Sequence, residues 1–189
     1  MLLYLSDWPP MYLKMEILKP TRTVAMIAAI SQDYAIGKDG NQPVYIKEDL
    51  RHFKALTEGR TVVMGRRTQQ ALPKGYLPKR RNIMLSHCDV VPNEYVEIAH
   101  SVEEVMEMTR GDQEVVVIGG GMIYGLFWDL ADVLYITHID VVIGDADTYF
   151  PMIGDEWELV DESDRRIDEA TGLAYRYCEY RRKCLNNKG

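Results

Sequence analysis

From Thr23 onward the chain alternates apolar runs with amphipathic stretches, and this restricts it to a layered α/β architecture. Thr23 to Ile30 is apolar almost without a break, as expected of a strand covered on both faces. Thr61 to Met64, Asn82 to Ser86, Val96 to Ala99, Glu114 to Ile118 and Val133 to Ile139 also read as strands. Lys47 to Glu58, Arg66 to Leu72 and Met122 to Leu130 read as helices, and a capping box, Ser101-Val102-Glu103-Glu104, opens another that runs to Thr109. Trp157 to Glu162 and Leu173 to Arg181 form a terminal antiparallel pair. The expected fold is a single α/β domain with a mostly parallel, twisted sheet of about eight strands and an antiparallel C-terminal edge, flanked by about four helices.

A chain of 189 residues is the size of one domain, and we expect that domain at residues 21–184, with an extension at 1–20 and a short tail at 185–189. The first twenty residues lack the basic and apolar regions of a signal peptide. A net charge of −7 argues against general affinity for nucleic acid or anionic membrane. Cys88, Cys178 and Cys184 have no metal-site spacing, and three cysteines cannot all pair. No metal site is expected, and a cytoplasmic monomer is the default.

Asp49 is out of place. Leu50, Phe53 and Leu56 share one arc of the Lys47–Glu58 helix, and Asp49 falls inside it while Lys47, Arg51 and Lys54 lie opposite. A carboxylate among hydrocarbon needs hydrogen-bond donors from the protein or from a ligand. A simple preference of acids for the first helical turn explains it equally well.

Two strand-to-helix junctions suit phosphates. Met64-Gly65-Arg66-Arg67-Thr68 combines a glycine, two guanidinium groups and a hydroxyl at a helix start. Ile118-Gly119-Gly120-Gly121-Met122-Ile123-Tyr124 exposes backbone amides, yet it matches neither the G-x-G-x-x-G fingerprint nor a P-loop. The long loop from Ser31 to Tyr45, rich in Gly, Asn and Pro, has the length of a functional loop. The acidic stretch Gly144 to Asp147 is too short for a calcium loop and reads as a solvated turn.

In order, these segments resemble the dihydrofolate reductase family from about Val24 to Arg182. The resemblance runs through Ile27-Ala28-Ala29 with Ile36-Gly37, the helix acid followed by Phe53-Lys54, and Val63-Met64-Gly65-Arg66-x-Thr68. Leu77-Pro78-x-Arg80-x-Asn82, Val117 to Gly121 with Tyr124, Thr137-His138-Ile139 and Asp147-Thr148-x-Phe150-Pro151 complete it.

The resemblance implies NADPH as cofactor, dihydrofolate as substrate and antifolates as inhibitors. It makes Asp49 the carboxylate that accepts hydrogen bonds from the pterin, with Thr137 relaying a hydrogen bond to it and Tyr124 beside the nicotinamide. Ile27, Ala29, Leu50, Phe53, Leu72, Leu77 and Ile118 become the substrate walls, and Arg80 the clamp for the glutamate carboxylate. Ala29, Ile36, Gly37, Gly65, Arg66, Arg67, Thr68, Ser86, His87, Gly119, Gly120, Gly121, Met122, Ile123 and Tyr124 become cofactor contacts, and Gly119–Gly120 a cis peptide.

The chain departs from the family pattern at Val44, where tryptophan is usual, and at Gln42 and Gln69. Reduction of another pterin or of the riboflavin-pathway pyrimidine, a catalytically weakened nucleotide-binding homologue, and a trimethoprim-insensitive reductase remain open alternatives.

Overall fold

The computed structural model describes residues 22–88 and 93–183. The expected extension at 1–20, the tail at 185–189 and Cys184 lie outside the described residues.

β1 (Thr23–Ile30) is the structural axis. It pairs in parallel with β6 (Glu114–Gly119) on one side and with β7 (Val133–Ile139) on the other. β3 (Thr61–Gly65), β4 (Arg81–Leu85) and β5 (Val96–Ala99) continue the parallel ladder beyond β6. Beyond β7, β11 (Ala174–Arg182) runs antiparallel and pairs in turn with β9 (Trp157–Glu162) and β10 (Arg166–Ile167). The nine-stranded sheet is therefore ordered β10-β11-β7-β1-β6-β3-β4-β5, with β9 also on β11. This is the expected mostly parallel sheet with an antiparallel C-terminal edge.

Both faces of the central strands are apolar because both are covered. Met26, Val63, Ile83, Val117 and Leu134 face one cluster with Ile123, Tyr124, Phe127 and Trp157. Ile27, Val62, Met64, Val116 and Ile118 face another, against Phe53, Leu56, Leu72 and Leu77. α3 (Val102–Met108) and α4 (Gly121–Phe127) contribute to the first face, α1 (Lys47–Thr57) to the second. α2 (Arg66–Ala71) buries none of its residues.

The helix ends follow local chemistry. Ser101 accepts a hydrogen bond from the Glu104 amide, and the Glu104 carboxylate accepts one from His100 N, one residue upstream of the ideal capping-box partner. Gly59, at φ +79°, turns the chain out of α1. The helix expected from Met122 to Leu130 ends at Phe127 and tightens into a 3₁₀ turn, Trp128–Leu130.

Three short strands went unexpected, β10 at the edge of the main sheet and two that pair with each other. β2 (Ala35–Gly37), inside the long loop, pairs with β8 (Thr148–Tyr149). Three-residue and two-residue strands carry too little periodicity to register in a sequence pattern.

Phe127 is fully buried at the centre of the larger cluster. Phe127→Ala is expected to lower stability by about 3–5 kcal/mol, read as a fall in the urea midpoint. A shift under about 1 kcal/mol would mean that α4 does not anchor this core.

Candidate functional site

Asp49 enters the structure on the face of α1 that meets the sheet, and its accessibility is only 9%. The Thr137 hydroxyl, on β7, donates to Asp49 Oδ1 at 2.5 Å. Burial pushes the Asp49 carboxyl above its usual value, and the Thr137 hydrogen bond partly opposes this. The conflict in the sequence thus has a partial internal answer: one of the donors that a buried carboxylate needs is Thr137.

Most of the residues expected to form substrate walls pack on the sheet face met by α1, the helix that carries Asp49. Ile27 and Ile118 lie in one cluster with Phe53, Leu72 and Leu77 packed against it. Ala29 belongs to a neighbouring cluster with Val44, Ile46, Ile139 and Tyr177. Leu50 is 49% exposed and joins neither cluster.

Arg80 is tied to the C-terminal end of α1. Nε and Nη2 donate to Thr57 Oγ1 at 3.3 and 3.1 Å, Nη2 to the Lys54 carbonyl and Nη1 to that of Pro78. Every one of these acceptors is neutral, and the nearby Glu58 pairs with Lys79 instead, at 3.0 Å. The guanidinium is thus oriented while its charge is uncompensated by these contacts. A groove of about 320 Å³ is lined by Leu77, Arg80 and residues of β4 and β5. The other cations lining it, Lys79 and Arg81, are already paired with Glu58 and Glu97.

The two glycine junctions meet because β3 and β6 are parallel neighbours and both end at this edge of the sheet. A Cβ on Gly65 would stand 2.9 Å from Ile123 Cγ1, and one on Gly120 would stand 3.6 Å from Thr68 Oγ1. Gly119–Gly120 is cis. The Tyr124 hydroxyl, buried beneath the turn, donates to the Ile27 carbonyl at 2.7 Å, so β1, β6 and α4 are joined at one point. A Cβ on Gly121 would lie 2.9 Å from Thr148 Cγ2 and 4.0 Å from Ile36 Cδ1, which brings the β2 loop over the same turn.

Arg66, Arg67 and Met122 are exposed. Ser86 is buried at the end of β4, where its carbonyl meets His100 Nδ1 at 2.9 Å, and His87 beside it is exposed.

Three comparisons bear on this arrangement. The family model described as dihydrofolate reductase matches residues 23–182. The chain belongs to the dihydrofolate reductase family. Among its relatives is the type 3 dihydrofolate reductase of Salmonella typhimurium, 37% identical over 83% of this chain and 94% of the relative. The dihydrofolate reductase of Mycobacterium leprae (strain TN) is 39% identical over 84% of this chain and 98% of its own. The structure of Enterococcus faecalis dihydrofolate reductase complexed with NADP(H) and RAB-propyl superimposes with a TM-score of 0.79 at 32% identity. It covers 86% of this chain and 97% of that one. Members of this family are NADPH-dependent oxidoreductases.

Sequence reasoning missed two parts of the site. The Gly144–Asp147 stretch is more than a solvated turn: Lys38 pairs with Asp145, and the Asp39 amide donates to Asp147 at 2.8 Å. Asp33 in turn accepts from the amides of Ile143 and Gly144. The second is an aromatic stack one helical turn along α1 from Asp49, formed by His52 and Tyr177 with ring centroids 4.0 Å apart. The spacing of His52 from Asp49, one helical turn, was the only sign of it.

The folded value of the Asp49 carboxyl lies above its unfolded value, so the fold favours the protonated form. Its destabilising effect is absent below about pH 4 and grows as pH rises through the folded value. Asp49→Asn in the ligand-free protein is therefore expected to raise the melting temperature at pH 7, with the gain shrinking on acidification to about pH 4. A gain independent of pH, or a loss at pH 7, would contradict the assigned burial penalty.

Proposed function

We propose that this chain reduces 7,8-dihydrofolate to 5,6,7,8-tetrahydrofolate with NADPH. The single observation that carries this reading is the desolvated Asp49 carboxylate held by Thr137 beside a wall of Ile27, Phe53, Leu72, Leu77 and Ile118. Family membership and the likeness to a reductase complexed with NADP(H) support it.

In this reading Asp49 accepts hydrogen bonds from the 2-amino group and N3–H of the pterin, replacing the water it gave up on folding. Its negative charge in a low-dielectric cleft favours protonation at N5 by water. Thr137 fixes the carboxylate in one orientation, and the apolar walls exclude solvent from the ring. Arg80, already oriented by Thr57, Lys54 and Pro78, clamps the α-carboxylate of the glutamate tail. That guanidinium favours a glutamate-tailed folate over a smaller pterin or the riboflavin-pathway pyrimidine.

The chain's residues suit NADPH as well. Exposed Arg66 and Arg67 stand beside a triple-glycine turn without side chains, with the Thr68 hydroxyl next to Gly120. Arg66 and His87 face the 2′-phosphate, Ser86 the adenosine, and Gly119 to Ile123 the pyrophosphate. Ile36, Gly37 and Tyr124 close around the nicotinamide. When bound, NADPH supplies the hydride that pterin C6 accepts.

The reductase domain occupies residues 21–184, and it acts as a monomer. Among the described residues Cys88 and Cys178 are unpaired, in accord with a reducing cytoplasm. Among the described residues no helix is long and apolar enough to cross a membrane. Val44 packs into the cluster of Ala29, Ile46 and Ile139, where it adds no hydrogen-bond donor, and this favours weakened binding of antifolates such as trimethoprim.

Loss of NADPH absorbance on adding dihydrofolate tests the activity directly. Asp49→Asn is expected to reduce turnover at pH 7 by about a hundredfold or more, and by much less at acidic pH where the substrate is already protonated. Near-wild-type turnover would remove Asp49 from the reaction. Arg66→Ala is expected to raise KM for NADPH by about tenfold or more while hardly changing that for NADH. Equal losses for both would place recognition of the 2′-phosphate elsewhere.

A further inference from the structure

Asp49 is not the only titratable group at this point of the fold. His52 follows it by three residues on α1, a spacing that sets the two Cβ atoms about 5–6 Å apart on neighbouring positions of the helix surface. The His52 ring stacks on Tyr177 at 4.0 Å between centroids and 26° between planes. Tyr177 is the direct cross-strand partner of Thr137 in the β7–β11 ladder, so both side chains project from the same face of the sheet. Thr137 donates to Asp49. The imidazole is thus stacked on the sheet face that carries Thr137, one helical turn from Asp49, rather than free in solvent.

The other groups around His52 define its electrostatic setting. From β10, the Arg166 guanidinium lies 5.3 Å from the centre of the Tyr177 ring. From β11 come Tyr177 and, 5.5 Å from it, Tyr175. On α1 itself, Glu48 and Arg51 neutralise one another in an ion pair. Asp49, one helical turn before His52 on α1, takes part in none of the ion pairs among the described residues.

We propose that His52 and Asp49 titrate as one coupled pair, in which an imidazolium at His52 withholds the proton that the buried carboxylate, or a substrate nitrogen beside it, otherwise takes. His52 is then a positioning residue acting through Asp49, an inference that rests on the reductase reading for its consequence but not for its test. A proton on either group raises the local potential and lowers the proton affinity of the other, and this effect is reciprocal. Burial raises the carboxyl and, with Arg166, lowers the imidazole.

The direct test is an NMR titration of the His52 imidazole, assigned through its backbone, in the ligand-free protein and in Asp49→Asn. The midpoint is expected to fall in the variant, because the neighbouring anion is gone; an unchanged or higher midpoint overturns the proposal. The second test is single-turnover hydride transfer from NADPH to dihydrofolate in His52→Phe and in the unaltered chain. Phenylalanine retains an aromatic ring against Tyr177 and removes the titration. The ratio of the two rates is expected to change by about threefold or more between pH 5 and pH 8. A constant ratio means that His52 only packs, and overturns the functional claim. Should His52→Phe fail to fold, the Asp49→Asn titration decides the matter. Absence of any turnover in the unaltered chain would instead sink the reductase reading and leave the NMR result to stand or fall alone.

Discussion

The hydrogen bond from Thr137 to Asp49 joins a helix to a strand 88 residues later in the chain, and the geometry of the site depends on it. It exists only because β7 follows β1 in the sheet and α1 crosses the face of that sheet carrying Phe53 and Leu56 inward. α1 begins without a side-chain cap, after the buried Ile46. Packing, rather than capping, therefore sets where the helix starts and where its first-turn carboxylate points. The carboxyl is kept out of water by the same hydrocarbon that fixes the helix, so burial of the acid and placement of the helix have a common origin.

The junctions illustrate the same economy of topology. Parallel strands adjacent in the sheet place their C-terminal ends side by side, and so Gly65 and the Gly119–Gly121 turn meet although over fifty residues separate them. Tyr124 ties this edge to β1 through the Ile27 carbonyl, beneath the glycine turn. Small residues are required where α4, α2 and the β8 segment approach one another, as the short distances from Gly65 and Gly121 to Ile123 and Thr148 make plain.

Much of this was legible in the residues. Runs such as Thr23 to Ile30 and Glu114 to Gly119 announce strands buried on both faces, and they are. Asp49 announced itself by sitting among Leu50, Phe53 and Leu56, and it is buried, although Leu50 is largely exposed. What the pattern did not reveal was short or distant. β2 and β8 are too brief for periodicity, and each is held by the other rather than by its own sequence. The His52–Tyr177 stack joins residues 125 positions apart that only the β7–β11 register brings together. The roles of Asp145 and Asp147 were hidden for the same reason, since their partners lie in the 31–45 loop.

That loop is fastened by carboxylates of a different kind from the buried one. Asp33 is held down to about 2 by the Ser31 hydroxyl and the Gly144 amide, Asp145 is lowered by Lys38, and Asp147 by Thr148 and the Asp39 amide. All three stay ionised across the range in which a raised carboxyl such as Asp49 exchanges its proton. The molecule therefore separates two kinds of acid: mild acidification reaches the interior carboxyl while those that fasten the 31–45 loop keep their charge.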